Sequence, residues 1–217
     1  MKTYHKIETL FKRDMEGTKK LIEGDFRNET ISFLKDLWWE WTEKCDGVNV
    51  RIFWDGHKVE FGGRTDKAQM PVPLLNKLQE YFGGEENAQM FEQLFGEKEV
   101  IIFGEGYGAG IQKGGTYVKD GKSVDFIMFD LMIGDNYQNR ESVEQCADAF
   151  NVKVVPIVGR GNLYEAVEFV KSHPMSQIGP GTHEMEGIVC RPLVELNDRC
   201  HNRVIVKIKW EDFKDLV

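Results

Sequence analysis

One lysine in the sequence stands in a setting that could make it a nucleophile. Lys44 is followed by Cys45, Asp46 and Gly47. An amine attacks only when it is neutral, and the ordinary pKa of a lysine is about 10.4. Burial or neighbouring cations lower that pKa, so the residues that activate Lys44 must come from elsewhere in the chain. Gly47 allows a tight turn, and Asp46 could hold a metal-bound water or orient the amine. Taken alone, the pattern is more typical of a plain loop at a strand edge.

Two further lysines recur at a spacing of two. Lys207 and Lys209 lie in the apolar run 204–210, which reads as a strand. Alternate residues of a strand project from the same face, so these two side chains point the same way. They would repel each other unless an anion lay between them, and they would lower the pKa of a third lysine close by. The alternative is the solvent face of an edge strand, where lysines discourage sheet-to-sheet pairing.

Three acids border or interrupt apolar strands. Glu105 lies in the glycine-rich run 104–110, where close backbone approach could present it into a tight site, although a surface turn is an equal alternative. Asp130 interrupts the apolar run 126–133, and a buried acid needs a partner. Glu186 comes directly before the strand pattern at 187–191.

The pattern of apolar and turn residues predicts the elements that position these side chains. A hairpin is expected from two strand patterns joined by Asp55-Gly56-His57. The run 172–182, rich in Gly and Pro, is expected to be a loop. Helices are predicted at 6–22, 74–82, 87–95, 140–150 and 163–171, and strands at 38–43, 48–54, 58–61, 100–103, 126–133, 152–158, 187–191 and 204–210.

Composition is that of an ordinary globular protein. The chain has 217 residues, 41% hydrophobic and 29% charged, which suits one domain or one with two small lobes. No apolar run approaches the roughly 18 residues that span a bilayer, and the start lacks the apolar stretch of a signal peptide, so a cytoplasmic location without membrane contact is expected.

Cysteines and net charge narrow the class of partner. The four cysteines form no Cys-x-x-Cys pair and have no zinc spacing with the five histidines, so reduced thiols and no structural metal are expected. A net charge of −8 argues against a broad basic face that coats nucleic acid. Any polynucleotide should be contacted locally, in a basic cleft.

Taken together, the motifs follow an order that resembles a known superfamily. Lys-x-Asp-Gly is followed by Arg64 in the hairpin, Gly-Glu-Gly, Phe129-Asp130, Glu-Gly-Ile-Val and Lys-Ile-Lys. This order resembles the covalent nucleotidyltransferases, and it looks most like the adenylyltransferase domain of the RNA ligase 2 family, from about residue 4 to 210. Asn49 stands where DNA ligases and capping enzymes usually have arginine, and RNA ligase 2 has asparagine there too. Asp46 is a departure, since RNA ligase 2 has histidine at that position.

The resemblance implies a fold and a role for each motif residue. The fold would be an α+β nucleotidyltransferase, an ATP-grasp-like ligase adenylation domain with antiparallel sheets enclosing the ATP cleft and helices flanking them. Residues 1–217 would form a single domain without a C-terminal OB-fold or helical domain. The implied roles are nucleophile for Lys44, α-phosphate contacts for Lys207 and Lys209, adenine edge for Glu43, purine stacking for Phe129 with Asp130 as supporting acid, nucleotide and RNA-end contacts for Asn49 and Arg64, and magnesium or its waters, beside the nucleotide, for Asp46, Glu105 and Glu186.

The activity that the resemblance implies is that of an ATP-dependent RNA ligase. It would use ATP with Mg²⁺, or Mn²⁺ in its place, and its partners would be the 5′-phosphate and 3′-hydroxyl ends of RNA. A monomer is expected, with an accessory protein as a candidate helper in substrate recognition. The alternatives are a DNA ligase, a capping-type nucleotidyltransferase and a catalytically silent nucleic-acid-binding domain.

Overall fold

The computed structural model describes residues 2–214, which fall into two compact units. The first unit comprises residues 2–5 and 46–155, and the second comprises 6–45 and 156–214. The strands are β1 Glu8–Thr9, β2 Phe11–Arg13, β3 Leu21–Phe26, β4 Trp39–Glu43, β5 Val48–Trp54, β6 Val59–Gly62, β7 Val100–Gly108, β8 Val124–Ile133, β9 Asn136–Tyr137, β10 Lys153–Val154, β11 Ile157–Gly161, β12 Gly187–Pro192 and β13 Val206–Lys209. The helices are α1 Glu29–Leu34, α2 Val72–Phe82, α3 Gly84–Phe95, α4 Arg140–Ala149 and α5 Leu163–Lys171.

The first unit is built on a six-stranded sheet. Its strand order is β10-β8-β7-β5-β6, with β9 paired to β8, and every pair is antiparallel except β10 with β8. Apolar residues of α2, α3 and α4 pack with those of the sheet in one buried cluster. Phe82 and Phe91 are fully buried there, and each such side chain contributes roughly 1.5–3 kcal/mol through apolar burial. This cluster holds β5, β7 and β8 in register.

The second unit is built on a five-stranded sheet with the order β1-β13-β12-β4-β11. Only the β1–β13 pair is parallel. The apolar face of α5 packs against this sheet, and Trp39, Ile188 and Ile208 are buried in the same cluster. An Asn162 cap with a reciprocal Glu165 contact begins α5, because both side chains satisfy backbone N–H groups of the first turn. The remaining strands, β2 and β3, form a separate hairpin.

Most of the predicted elements are confirmed, and with them the α+β class with antiparallel sheets. The hairpin of β5 and β6 and the helices α2 to α5 lie within a few residues of their predicted bounds. The strand predicted at 100–103 continues to Gly108. The strand predicted at 152–158 is two strands, since Pro156 lies between β10 and β11 and has no N–H to donate to a ladder.

The helix predicted at 6–22 is wrong. This segment forms β1, β2 and the start of β3, and the carboxylate of Asp14 accepts the backbone N–H groups of Gly17 and Thr18 in the turn. An Asp that caps a turn in this way, followed by glycine, favours a hairpin over a helix. The short helix α1, begun by the Asn28 cap, is absent from the prediction.

No helix among residues 2–214 is both long enough and apolar enough to cross a membrane.

Candidate active site

Strand register explains why distant residues meet in the second unit. Strand β12 lies between β4 and β13 and is antiparallel to both, with Ile188 opposite Glu43 and Gly187 opposite Lys209. The end of β4, the start of β12 and the end of β13 therefore lie at the same edge of the sheet. Lys44 follows β4 and Glu186 precedes β12, so both residues are brought to this edge beside Lys209.

A cluster of lysines around one carboxylate occupies this edge. The Nζ of Lys44 donates to Oε2 of Glu186 at 2.6 Å, and the Nζ of Lys209 forms an ion pair with Oε1 of the same side chain. The lysine side chains are 25% and 28% exposed and that of Glu186 is 16% exposed. Glu186 therefore supplies the anion that Lys44 and Lys209 share.

Lys207 is the third lysine of the cluster, and the charges of the other two affect its pKa. It shares a face with Lys209, because Val206 and Ile208 alternate with them and are buried. Burial lowers the pKa of the Lys207 amine, and the positive charges of Lys209 and Lys44 lower it further. Binding of a further anion would relieve this repulsion, so the cluster is suited to an anionic ligand. The edge-strand alternative for these lysines is wrong, because β13 lies between β1 and β12.

Gly187 permits the close packing beneath this cluster. A Cβ at this position would lie 2.1 Å from the carbonyl oxygen of Ile208 and 2.8 Å from the Cα of Lys209. Both are backbone atoms that cannot move aside without breaking the β12–β13 ladder. The Glu-Gly pair in the sequence thus has a physical reason: the glycine lets β13 approach the residue that carries the carboxylate.

Glu43 points into the protein and not into open space. It is 1% exposed, its Oε1 accepts from the hydroxyl of Ser176, and its Oε2 accepts from the N–H of Gln177 at 2.7 Å. Burial raises the pKa of this carboxyl, and the two hydrogen bonds oppose that effect. Both oxygens have partners in the ligand-free protein, so the expected contact with the adenine edge stays a prediction.

In the first unit, the β5–β7 register brings two predicted residues together. Asn49 lies directly opposite Glu105, and the Oδ1 of Asn49 is buried without a hydrogen-bond partner among the residues that the structure describes. Gly47 allows this pairing, since a Cβ there would lie 2.3 Å from the carbonyl oxygen of Gly106. The neighbouring Asp46 is fixed through its backbone N–H, which donates to the Tyr117 hydroxyl at 3.1 Å.

A bulge in β8 places Phe129 and Asp130 against the same tyrosine. Gly104 is opposite Met128 and Phe103 is opposite Asp130, so Phe129 is the extra residue. The ring of Tyr4 packs edge-to-face on Phe129 at 5.0 Å, and its hydroxyl donates to Asp130 at 2.8 Å. Asp130, which is fully buried, thereby has the partner that the sequence requires, and it orients Tyr4.

Arg64 is exposed in the segment after β6, and its expected contact with the nucleotide or the RNA end stays a prediction. A fully buried arginine fixes this segment: Arg51 donates from Nε to the Gly63 carbonyl at 2.7 Å and from Nη2 to Asp66 at 2.8 Å. Arg51, Tyr4 and Ser176 were not identified from the sequence. A charged residue inside the β-branched run 48–54 was the available signal for Arg51, whereas neither Tyr4 nor Ser176 stands in a motif.

The oxygen donors fit a hard divalent cation. In the part of the chain from residue 2 to 214, no three His, Cys, Asp or Glu side chains are grouped to hold a metal ion. Magnesium seldom requires such a cage, because it keeps several waters and binds one or two carboxylates together with substrate phosphates. The candidates remain Asp46 and Glu105 in the first unit and Glu186 in the second.

Comparison with known proteins identifies the family. The RNA ligase family model matches residues 38–209. A mutant of the Naegleria gruberi RNA ligase with ATP and Mn aligns with a TM-score of 0.63 and 18% identity, covering 86% of this chain and 53% of that one.

Two further structures of that protein give the same result. An apo mutant aligns with a TM-score of 0.64 and 17% identity, over 87% of this chain and 54% of that one. A mutant with AMP and Mn aligns with a TM-score of 0.63 and 17% identity, over the same shares. The chain thus spans about half the length of these neighbours, and its fold is the nucleotidyltransferase type that the resemblance implied. With most of its length covered by the family model, the chain belongs to the RNA ligase family.

Proposed function

We propose that the chain is an ATP-dependent RNA ligase that works through a lysyl-AMP intermediate. The observation that carries the proposal is the cluster in which Lys44 and Lys209 share Glu186 beside Lys207. Family membership supports the same reaction class, and two of the Naegleria structures contain ATP or AMP with Mn. We further propose that residues 1–217 act as one adenylyltransferase domain.

In the first step, Lys44 is the nucleophile. Its Nζ leaves Glu186, passes a proton to water and attacks the α-phosphorus of ATP, so that an N–P bond forms, the bond to pyrophosphate breaks and pyrophosphate departs. Lys207 and Lys209 face the phosphate and stabilise the charge on its oxygens as the transition state is passed. Their own mutual repulsion is relieved by the same anion, which makes the ligand-free cluster a preorganised phosphate site.

In the later steps, the polymer ends react. An oxygen of the RNA 5′-phosphate displaces Lys44 and takes the AMP, which regenerates the amine. A 3′-hydroxyl then attacks the RNA phosphate, forms the phosphodiester bond and releases AMP. Positioning, and not covalent chemistry by further side chains, accounts for most catalysis of this kind.

Residues of the first unit would bind the nucleoside and the RNA end. We assign the partnerless Oδ1 of Asn49 as an acceptor for a nucleotide hydroxyl, because an orphaned buried oxygen gains about 1–3 kcal/mol when a donor reaches it. Phe129 would stack on the purine, with its ring held by Tyr4, and Arg64 would bind a phosphate of the RNA end. Glu43 stays assigned to the adenine edge, because its carboxylate can accept a further hydrogen bond while it keeps its contacts with Ser176 and Gln177.

Asp46 and Glu105 of the first unit, and Glu186 of the second, are each proposed as a ligand for a divalent cation, Mg²⁺ or Mn²⁺, or for its waters. The cation would supply positive charge to the phosphates and polarise their P–O bonds.

The proposal is tested by sealing assays. Nicked duplexes carrying a 5′-phosphate are incubated with ATP and Mg²⁺, with RNA, DNA or hybrid strands at the nick, and the joined product is resolved on denaturing gels. RNA joining that requires both the 5′-phosphate and the 3′-hydroxyl is expected. Sealing of DNA nicks alone would favour the DNA ligase alternative, and labelling by GTP in place of ATP would favour the capping-type enzyme.

We propose a small RNA footprint as part of the same function. A net charge of −8 argues against a broad basic face that binds nucleic acid, so we expect contact with only the nucleotides next to the joint. A monomer assisted by an accessory protein in substrate recognition is the arrangement that we propose.

A further inference from the structure

A hairpin leads directly into Glu186. Within residues 174–185, the N–H of Ser176 donates to the His183 carbonyl at 2.8 Å, and the N–H of Met185 donates to the Pro174 carbonyl at 3.0 Å. Gly179 and Gly181 have φ values of 77° and 66° near the tip, a conformation that favours glycine. The segment predicted as a loop is therefore ordered, and the residue after it carries the carboxylate shared by two lysines.

Glu43 attaches this hairpin to strand β4. Its carboxylate accepts the Ser176 hydroxyl and the Gln177 N–H, while the Ser176 oxygen accepts the N–H of Ile178 at 3.1 Å. Glu43, Ser176 and Ile178 are 1%, 4% and 2% exposed. The Ser176 hydroxyl and the Gln177 N–H, which bind this carboxylate, are neutral donors. Burying a carboxylate on such partners costs free energy, and sites that carry such a cost often require a fixed position.

Both segments joined by this contact are adjacent in sequence to residues of the lysine cluster. Glu43 directly precedes Lys44, and the hairpin ends one residue before Glu186. Beyond Glu186 the chain is already fixed, because its carbonyl accepts the Trp210 N–H at 3.1 Å and the Lys44 N–H donates to the Gly187 carbonyl at 2.9 Å. The side that still needs a restraint is the hairpin side, where the Glu43–Ser176 contact is found.

We propose that Glu43 and Ser176 form a latch that holds the hairpin 174–185 and thereby positions the carboxylate of Glu186 between Lys44 and Lys209. Both are positioning residues. The effect of the latch on lysyl-AMP formation rests on the proposed function, whereas its effect on the hairpin does not. The backbone of Glu186 is restrained on both sides, and this fixes the position of its carboxylate. Loss of the latch weakens the restraint on one side, so part of the free energy of fixing Glu186 must be supplied when the ligands bind.

The test compares Ser176→Ala with wild type and with Ser172→Ala. Ser172 lies in the same unit, and its hydroxyl donates to the Phe169 carbonyl at the exposed end of α5, so its loss removes a hydroxyl but not the latch. For each full-length chain, the rate of AMP attachment to Lys44 is measured across a Mn²⁺ titration. Hydrogen exchange of residues 174–185 is measured on the metal-free chains.

Ser176→Ala is expected to raise the Mn²⁺ concentration for half-maximal rate by roughly tenfold, the effect of one hydrogen bond to a charged group. Exchange protection should fall within 174–185 while that of β12 and β13 persists. Ser176→Thr, which keeps the hydroxyl, should restore both readouts. Glu43→Gln, a second variant in case Ser176→Ala does not fold, should shift both in the same direction.

Wild-type Mn²⁺ dependence together with wild-type protection in folded Ser176→Ala would overturn the latch and leave the proposed function intact. An absence of AMP attachment in the wild-type chain itself would overturn the proposed function, and with it the role given to the latch. A change equal to that of Ser172→Ala would also overturn the latch, since a merely structural serine accounts for it.

Discussion

At the scale of the residue, one carboxylate pairs with two of the three clustered amines. Glu186 pairs with Lys44 and Lys209, and the lowered pKa of Lys207 reflects both its burial and the charge of those two lysines. The cluster therefore carries more positive than negative charge before any ligand arrives. A phosphate that enters it gains electrostatic attraction from this excess of positive charge.

Replacement of Glu186 by Gln tests the role of this carboxylate among the lysines. Glu186→Gln keeps the shape of the side chain but removes the negative charge, so Lys44 loses its partner and the candidate metal loses a ligand. We expect the rate of AMP attachment to fall by roughly 100-fold or more, the usual loss when one electrostatic group is removed from such a site. Single-turnover labelling with radioactive ATP measures it.

The matched control for that experiment is Glu184→Gln. Glu184 lies two residues earlier on the hairpin, where it is exposed and contacts His173. It should label at close to the wild-type rate. Equal losses in the two variants would show that the decline comes from the hairpin and not from the shared carboxylate.

Lys207 should be a residue whose removal stabilises the ligand-free protein. Its pKa lies below the ordinary value, so the folded state disfavours the charged amine. Lys207→Met should therefore raise the free energy of unfolding by about 1 kcal/mol at neutral pH, after allowance for solvent screening, while abolishing AMP attachment.

The pH dependence of that gain has a definite sign. Below the lowered folded pKa the amine is charged in both the folded and unfolded states, and its full cost is present. As the pH rises through the lowered folded pKa towards the ordinary value, the amine becomes neutral and the cost disappears. The stability difference between Lys207→Met and wild type, measured by urea unfolding from pH 7 to 10, should shrink. A difference that stays constant would contradict the assignment.

At the scale of the element, two local irregularities decide where predicted residues point. Strand alternation places neighbouring residues on opposite faces, yet Phe129 and Asp130 both contact Tyr4. The β8 bulge accounts for this, since it adds one residue to the strand between two regular pairs. The sequence indicates an acid inside a buried strand, but a bulge depends on the partner strand and has no signature in a single segment.

Tyr4→Phe tests the contact between the N-terminal segment and β8. It removes the hydroxyl that donates to the fully buried Asp130, and loss of a hydrogen bond to a buried acid costs about 1–3 kcal/mol. We expect a loss in that range in urea unfolding at neutral pH. Tyr164→Phe, on the exposed side of α5, is the control and should change stability by less than about 0.5 kcal/mol. A Tyr4→Phe chain as stable as this control would contradict this expectation.

What the sequence can predict at this scale depends on the range of the interactions. The β5–β6 hairpin and helices α2 to α5 follow from local periodicity and turn residues, and Lys207 and Lys209 share a face for the same reason. The 6–22 segment has apolar residues near helical spacing, but the Asp14 turn and the pairing of β2 with β3 decide its structure. Pairing partners lie outside the window from which periodicity is read.

The convergence of Lys44, Glu186 and Lys209 needed more than local pattern. Each lies at the end of a predicted strand, but the register of β12 with both β4 and β13 brings the three together. Motif order, through the resemblance to a family, supplied that information indirectly. The Ser176 contact with Glu43 had no such guide, because the segment 172–182 shows only Gly and Pro enrichment typical of loops.

At the scale of the whole molecule, an acidic chain carries a local cationic site. The net charge of −8 repels a polyanion at long range, whereas the three lysines at one sheet edge attract a phosphate at short range. This combination suits recognition of an end, where chemistry occurs, over recognition of a long stretch of backbone.

The central claim is that the amine of Lys44 captures AMP. Intact-mass spectrometry of the full chain after incubation with ATP and Mg²⁺ or Mn²⁺, followed by peptide mapping, tests it most directly, with Lys44→Ala and the exposed Lys122→Ala as the paired variants. The account predicts one AMP on the peptide containing Lys44 in wild type and in Lys122→Ala, and none in Lys44→Ala. An unmodified wild-type chain, or an adduct that persists in Lys44→Ala, would contradict it.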